Sequence, residues 1–254
     1  MKNFKDLDQG TQLADKKKRF LVLVDGNPRD LLSIGILLQK LDYNIYTSNS
    51  AEEAIQVSSV IVPALIITEL TLPGMNGIDF LKHIKKDPRT RSIPVIILTD
   101  MNKPKIEDLC RREGCAAYFV KPFEPDTLYR AIQNATEPVP RQYIRLKTCM
   151  TMVIGEGIDK ETVSSECITA LSENGMYIST LNPLPVGTTV PVSITVENQN
   201  LRLEGIVLYS YTAGHGPLKQ PGMGVKFINI SSDMQNLLRT YITKQLMEDF
   251  PPRS

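Results

Sequence analysis

The sequence lacks a long apolar run and an excess of charge of either sign. No stretch of about 18 or more apolar residues occurs in it, which argues against a transmembrane helix. The 29 Lys and Arg residues balance 28 Asp and Glu residues, so the basic surface of a nucleic-acid-binding protein is not expected. The N-terminus, MKNFKDLDQG, has no apolar core like that of a signal peptide. We therefore expect a cytoplasmic protein with no membrane insertion and no nucleic-acid partner.

Residues that bind metals or carry out catalysis are also scarce. The four cysteines form no CxxC pair, and neither of the two histidines has a Cys or His partner at metal-ligand spacing. In the cytoplasm the cysteines should be reduced thiols, either packed or without a role. The sequence has no GxSxG, no GxxxxGK[ST] and no nucleophile–base pair. We expect no metal site and no enzymatic activity.

Residues 19–136 alternate short apolar runs with segments of helical spacing. The strand-length runs begin with FLVLV at 20–24 and end with AYFV at 117–120, and a helical segment follows each run. Strands that are apolar at every position are buried on both faces, as in a parallel sheet covered by helices. The pattern predicts a doubly wound α/β domain with five parallel strands. A flexible tail is expected at 1–18.

The second part of the chain has a different pattern. Two prolines lie in the segment EPVPR at 137–141, which favours an extended linker. Short runs rich in Val, Ile, Thr and Tyr follow, with glycines between them. This spacing is typical of an antiparallel sandwich or a small barrel. An amphipathic helix is predicted over 232–247, and we place the second domain at 137–254.

Polar side chains follow four strands of the predicted parallel sheet. Strands one and three are expected to end at Asp25 and Glu69, strand four ends at Thr99, and strand five leads to Lys121. Because the carboxyl ends of parallel strands meet at one edge, these side chains should share a cleft. Carboxylates can hold Mg²⁺, and a hydroxyl and an ammonium can contact phosphoryl oxygens. The four residues thus predict a phosphoryl site.

These residues lie in stretches that resemble the receiver domain of two-component response regulators. The stretches are VLVDGNP at 22–28, ELTLPGMNG at 69–77, PVIILTD at 94–100 and GCAAYFVKPF at 114–123. The resemblance covers residues 19–136. It implies that Thr99 and Lys121 are switch residues and that Tyr118 is the aromatic residue that reports the switch.

Two positions depart from the receiver pattern. The resemblance places the phosphorylated aspartate at Glu69 and the second acid of the usual acidic pair at Gly26. The longer Glu69 side chain puts its carboxylate where the incoming phosphoryl group should go, and Gly26 offers no metal ligand, whereas Mg²⁺ needs well-placed carboxylates. We therefore expect a pseudo-receiver with a degenerate phosphorylation site and no bound Mg²⁺. This site comprises Asp25, Gly26, Glu69, Thr99 and Lys121.

Two interpretations of such a domain remain open. It is either an inert spacer or dimerisation module, or a switch that Glu69 holds in an active-like state by pairing with Lys121. The sequence by itself does not reveal which switch state is favoured.

The second domain resembles a PilZ domain, a family of cyclic di-GMP receptors with a six-stranded β-barrel. The resemblance spans 138–248 and rests on an RxxxR pair, ALSENG at 170–175 and the strand-like runs at 186–194, 201–210 and 223–230. Guanidinium groups can fork onto phosphate or guanine oxygens and can stack on bases. The resemblance implies that the ligand is bound by Arg141, Arg145, Ser172 and Gly175.

One position departs from the PilZ pattern. The family's second motif begins with Asp or Asn, which accepts hydrogen bonds from a guanine edge, and this sequence has Ala170 there. We expect a cyclic di-GMP-responsive effector that acts through a protein partner, with motility or envelope machinery as candidates. The alternative is a nucleotide-blind adaptor. Glu69 and Gly26 argue against a regulator that is driven by phosphorylation. No motif supports a DNA-binding regulator, because we expect the basic stretch at 16–19 to be a solvated flank of the first strand.

Overall fold

The computed structural model describes residues 20–154, 167–215 and 220–250. The predicted tail at 1–18 and the basic stretch at 16–19 lie outside the described residues. The described residues form two compact units. One unit contains residues 20–142 with 249–250, and the other contains residues 143–248.

The first unit is a five-stranded parallel sheet in which a helix follows each strand, as predicted. The strand order is β2-β1-β3-β4-β5. The strands are β1 (Phe20–Val24), β2 (Asn44–Ser48), β3 (Leu65–Thr68), β4 (Val95–Thr99) and β5 (Ala117–Val120). The helices are α1 (Pro28–Lys40), α2 (Ala51–Val60), α3 (Gly77–Lys86), α4 (Pro104–Arg112) and α5 (Pro125–Thr136).

The central strands of this sheet are buried along their whole length. Every residue of β3 and β4 is buried, as are the last four residues of β1. Helices that cover both faces of a parallel sheet produce this burial, and it explains why the sequence shows continuous apolar runs instead of alternation. Beyond β1 and β3 the strand order reverses, which is where an α/β sheet opens a cleft at its carboxyl edge.

The second unit is a closed barrel of six antiparallel strands, followed by a helix. The strands are β6 (Leu146–Ile154), β7 (Cys167–Ser172), β8 (Gly175–Ser179), β9 (Thr189–Val196), β10 (Gln199–Tyr211) and β11 (Gly222–Ile228). They close in the order β10-β11-β8-β7-β6-β9. The helix α6 (Ser232–Met247) has the predicted bounds. The predicted fold class, α/β followed by a six-stranded barrel with a terminal helix, is confirmed.

Strand β6 is the one barrel strand that the sequence pattern did not reveal. Its register with β7 shifts between Lys147 and Met150, so one strand carries an extra residue at that point. The sequence of β6, LKTCMTMVI, has apolar β-branched residues only at its end, so it lacks the Val- and Ile-rich pattern from which the other strands were recognised. Strand β9, by contrast, alternates regularly, with Val190, Val192 and Ile194 all buried. Within the residues described, no helix combines the length and apolarity that a membrane span requires.

Candidate functional site

The carboxyl edge of the parallel sheet brings together four of the residues predicted for the phosphoryl site. Asp25 and Glu69 directly follow β1 and β3, which each end one residue earlier than expected. Thr99 is the last residue of β4, and Lys121 follows β5. All four are buried. The Lys121 Nζ lies 2.6 Å from Asp25 Oδ2 and 3.1 Å from Glu69 Oε2.

The Glu69 carboxylate is held by donors on both of its oxygens. Oε1 accepts hydrogen bonds from the Thr99 hydroxyl and, at 2.7 Å, from the Leu70 backbone N–H. Oε2 accepts from the Asp100 N–H at 3.3 Å and faces the Lys121 ammonium. The loop that carries Glu69 is pressed against α3, because a Cβ on Gly77 would collide with the Glu69 carbonyl oxygen. A buried carboxylate needs such donors to offset its lost hydration.

Lys121 is also paired with an acid that sequence reasoning missed. Asp30, in the first turn of α1, places Oδ2 at 2.6 Å from the Lys121 Nζ. Burial lowers the pKa of Lys121, but the hydrogen bonds to Asp25 and Asp30 outweigh it, and the pKa lies above its usual 10.5. Burial raises the pKa of Asp25, and the bond from Lys121 opposes that rise. The available signal for Asp30 was its place at a helix N-terminus beside the end of β1, where acids are favoured.

Gly26, the residue after Asp25, contributes no carboxylate to the cleft. The Asp25 side chain is already engaged, since Oδ1 accepts from the Asn27 N–H at 2.8 Å and Oδ2 accepts from Lys121. A Cβ on Gly26 would lie 3.1 Å from Pro73 Cδ, so a larger side chain there would fit only tightly. Across the described ranges, no group of three or more His, Cys, Asp or Glu side chains could hold a metal ion.

A chain of hydrogen bonds connects Glu69 with Tyr118. The Thr99 hydroxyl that donates to Glu69 accepts from the Met101 N–H at 3.2 Å. The Met101 carbonyl in turn accepts from the Tyr118 hydroxyl at 2.6 Å. Tyr118 is only 8% exposed, and burial raises its pKa to about 12. The position of the Tyr118 ring is therefore linked to the carboxylate through two intervening residues.

In the barrel, Ser172 and Gly175 lie at the tight turn between β7 and β8. The Ser172 hydroxyl donates to the Gly175 carbonyl at 2.9 Å and accepts from the Asn174 N–H at 3.4 Å. A Cβ on Gly175 would collide with the carbonyl oxygen of Val225 on β11. Both residues thus have a role in shaping the turn and its contact with the neighbouring strand.

Ala170 lies on the middle strand of a three-strand segment. It pairs with Lys147 on β6 and with Tyr177 on β8, and it is half-buried. The pairing of β7 with β8 shifts between Ile168 and Ala170, just before this position. The site where the family resemblance expects an acceptor therefore presents a methyl group.

The two predicted arginines fall in different compact units. Arg141 belongs to the first unit, where its backbone N–H donates to the side-chain oxygen of Gln133 at 3.2 Å. Arg145 belongs to the second unit, is exposed, and directly precedes Leu146, the first residue of β6.

A further contact fixes the β7–β8 turn from the terminal helix. The carboxylate of Glu173, which is buried, accepts from Arg239 Nε at 2.5 Å and from Arg239 Nη2 at 2.9 Å. Two parallel bonds of this kind give a guanidinium–carboxylate pair a defined geometry. Sequence reasoning missed this pair because α6 lies 66 residues along the chain from the turn.

Comparison with known proteins gives relatives for this chain. Protein PilH of Pseudomonas aeruginosa is 24% identical over 112 residues, which cover 44% of this chain and 93% of that protein. Response regulator Rre1 of Synechocystis is 32% identical over 117 residues, covering 45% of this chain and 50% of that protein. Among solved structures, a putative response regulator from Chloroflexus aurantiacus is 27% identical with a TM-score of 0.46, over 47% of this chain and 98% of that one.

Two family models match the chain. Residues 21–133 match the response regulator receiver domain, and residues 140–244 match the PilZ domain. The first range holds the parallel sheet and its cleft, and the second holds the barrel and most of α6. The chain therefore contains a response regulator receiver domain followed by a PilZ domain, and both are domains of signalling proteins.

Proposed function

We propose that this protein is a cyclic di-GMP-responsive effector with a receiver domain that does not accept phosphate, and that it acts through a protein partner without catalysing a reaction itself. We place the receiver domain at 19–136 and the PilZ domain at 137–254, after a tail at 1–18. The observation that carries the proposal for the receiver is the Glu69 carboxylate, which is bound by the Thr99 hydroxyl and the Lys121 ammonium.

The contacts of Glu69 support a phosphorylation-incompetent site. The groups that would stabilise an incoming phosphoryl group are already bonded to the carboxylate. The residues present also do not fit a Mg²⁺ ion, because Asp25 is bonded to Lys121 and Gly26 supplies no ligand, whereas Mg²⁺ demands several well-placed oxygens. Phosphoryl transfer depends almost entirely on positioning and electrostatic stabilisation. Glu69 occupies the groups that would position the phosphoryl group, and without Mg²⁺ its charge is not stabilised, so we expect no transfer.

The same contacts favour a switch held in one state over an inert spacer. The Asp100 N–H donates to the Glu69 carboxylate and the Met101 N–H donates to the Thr99 hydroxyl, so the loop after β4 is tied to the Glu69 site. Tyr118 is bonded to the same loop and is buried. In this proposal Glu69 does without phosphate what a bound anion would do.

Phosphorylation is tested by incubating the full chain with a small phosphodonor and Mg²⁺ and measuring its intact mass. We expect no phosphoryl adduct on the wild type and little on Glu69→Asp, because Gly26 still leaves the metal short of a ligand. The matched positive variant is Glu69→Asp combined with Gly26→Asp. A stable adduct on the wild-type receiver domain would refute this part of the proposal.

Cyclic di-GMP binding is supported by the PilZ match and by the chemistry of the arginines. Arg145 is exposed at the start of the barrel, and Arg141 lies four residues before it. Guanidinium groups suit both the phosphates and the guanine edges of this ligand. Binding should weaken with added salt, because part of the attraction is to phosphate.

The second candidate function is a nucleotide-blind adaptor. It is favoured by the methyl group of Ala170 and by the Ser172 hydroxyl, which is bonded within its own turn. Calorimetric titration of the full chain with cyclic di-GMP separates the two candidates. Saturable binding that is weakened in Arg141→Ala and Arg145→Ala supports the effector. If no binding is seen even at cyclic di-GMP concentrations far above those at which a signalling nucleotide acts, the result supports the adaptor.

A further inference from the structure

Two of the four cysteines lie on neighbouring strands of the barrel. Cys149 is on β6 and is exposed, and Cys167 is the first residue of β7 and is half-buried. Thr151 pairs directly with Cys167 across the two antiparallel strands. Exposure alternates along this part of β6, where Cys149 and Thr151 are exposed and Met150 between them is half-buried, so Cys149 lies on the same face as Thr151 and diagonally across from Cys167.

The two thiols are close enough to interact. The Cys149 thiol lies within hydrogen-bonding reach of the Cys167 thiol, and burial together with this neighbour raises the pKa of Cys167. The register of the β6–β7 pair shifts between Lys147 and Met150, so Cys149 lies in the stretch of β6 that carries the extra residue. Both cysteines are reduced in the structure.

We propose that Cys149 and Cys167 form a reversible disulfide in response to hydrogen peroxide. The exposed Cys149 thiolate attacks one peroxide oxygen, the O–O bond breaks, and the products are a sulfenic acid and hydroxide. The Cys167 thiolate then attacks the sulfenic sulfur and displaces its hydroxyl group, which leaves as water once protonated. In sum, two thiols lose two electrons and two protons, and one molecule of hydrogen peroxide is reduced to two molecules of water.

The bond would tie together two adjacent barrel strands that also carry part of the predicted ligand site. Lys147 and Ala170 pair across the same two strands. A covalent link between β6 and β7 restrains their relative movement and constrains the unfolded chain, which raises thermal stability. The disulfide site follows from the strand pairing and stands whether or not the barrel binds a nucleotide.

The test uses the reduced full chain, treated with hydrogen peroxide, blocked with an alkylating reagent and measured by intact mass and peptide mapping. We expect a monomer that has lost two hydrogen atoms, a peptide that links Cys149 to Cys167, and recovery of both thiols with dithiothreitol. The rate should rise with pH, because the raised pKa of Cys167 keeps it mostly protonated near neutral pH.

Single-cysteine variants supply the controls. Cys149→Ser and Cys167→Ser should each prevent the intramolecular link. Cys115→Ser should leave it intact, because Cys115 belongs to the other unit, where its neighbour Cys110 is fully buried. The proposal is wrong if peroxide produces no linked peptide, links only separate molecules, or oxidises Cys149 to the sulfinic acid while Cys167 remains a free thiol.

Discussion

Replacing Glu69 by Gln removes the negative charge at the centre of the receiver cleft while preserving the shape of the side chain. Glu69 contacts the Leu70 N–H, the Thr99 hydroxyl and the Asp100 N–H, in addition to Lys121. An amide keeps one acceptor oxygen but points its NH₂ group toward donors. At least one charge-assisted hydrogen bond is therefore lost, and the new NH₂ group faces a donor that formerly bonded to the carboxylate.

The size of the stability loss depends on the acidic partners that Lys121 retains in the variant. Breaking a buried ion pair costs about 3–5 kcal/mol when it leaves a charge uncompensated. Here Lys121 keeps Asp25 and Asp30, each at 2.6 Å, so its charge remains paired. The loss is then that of a hydrogen bond to a charged group, about 1.5–3 kcal/mol. A loss of about 2 kcal/mol would raise the population of locally opened receiver roughly 30-fold.

Hydrogen exchange followed by mass spectrometry measures this effect segment by segment. In Glu69→Gln we expect faster exchange in the loop after β4, where the Asp100 N–H is bonded to Glu69, with little change in the barrel. The matched control is Glu107→Gln, which removes an exposed i,i+4 pair with Arg111 and should change stability by less than about 1 kcal/mol. Exchange in Glu69→Gln that equals the control would show that the carboxylate does not hold this loop.

Other predictions concern alkaline stability and the barrel. The pKa of Tyr118 is raised from 10.0 to about 12, so between these values the unfolded state loses its proton first and stability falls with rising pH, by up to about 1.4 kcal/mol per pH unit. Denaturant titrations between pH 9 and 12 should show a shallower loss for Tyr118→Phe, and an unchanged slope would contradict the assignment. If the wild type binds cyclic di-GMP, Arg145→Ala should weaken calorimetric binding roughly 10- to 150-fold, whereas Arg202→Ala, at an exposed position on β10, should not. Ala170→Asp should strengthen binding about 5- to 150-fold by restoring an acceptor; weaker binding by a variant that melts normally would mean that no base faces this position. Arg239→Ala removes the two bonds to the β7–β8 turn and should lower the melting temperature of the barrel, and a melting temperature equal to that of the wild type would contradict this role.

The sequence by itself determined the elements whose pattern is local. The strands of the parallel sheet were recognisable because burial on both faces requires an unbroken apolar run, and α6 was recognisable from its helical spacing. The convergence of Asp25, Glu69, Thr99 and Lys121 was also predictable, because the topology of a parallel sheet brings the ends of its strands to one edge. The binding roles of the arginines, Ser172 and Gly175 stay predictions.

Only the tertiary structure decided the contacts that depend on register and on distant parts of the chain. Asp30 meets Lys121 across 91 residues of sequence, which no local pattern can indicate. Strand β6 was hidden because its sequence, LKTCMTMVI, is poor in apolar β-branched residues, and the pairing of this strand with β7 brings Cys149 beside Cys167. Apolar periodicity records whether a side chain is buried, because burial is a property of one residue in its element. It does not record which partner a side chain meets, because that depends on how separate elements are aligned, and a shift of one residue changes every pair.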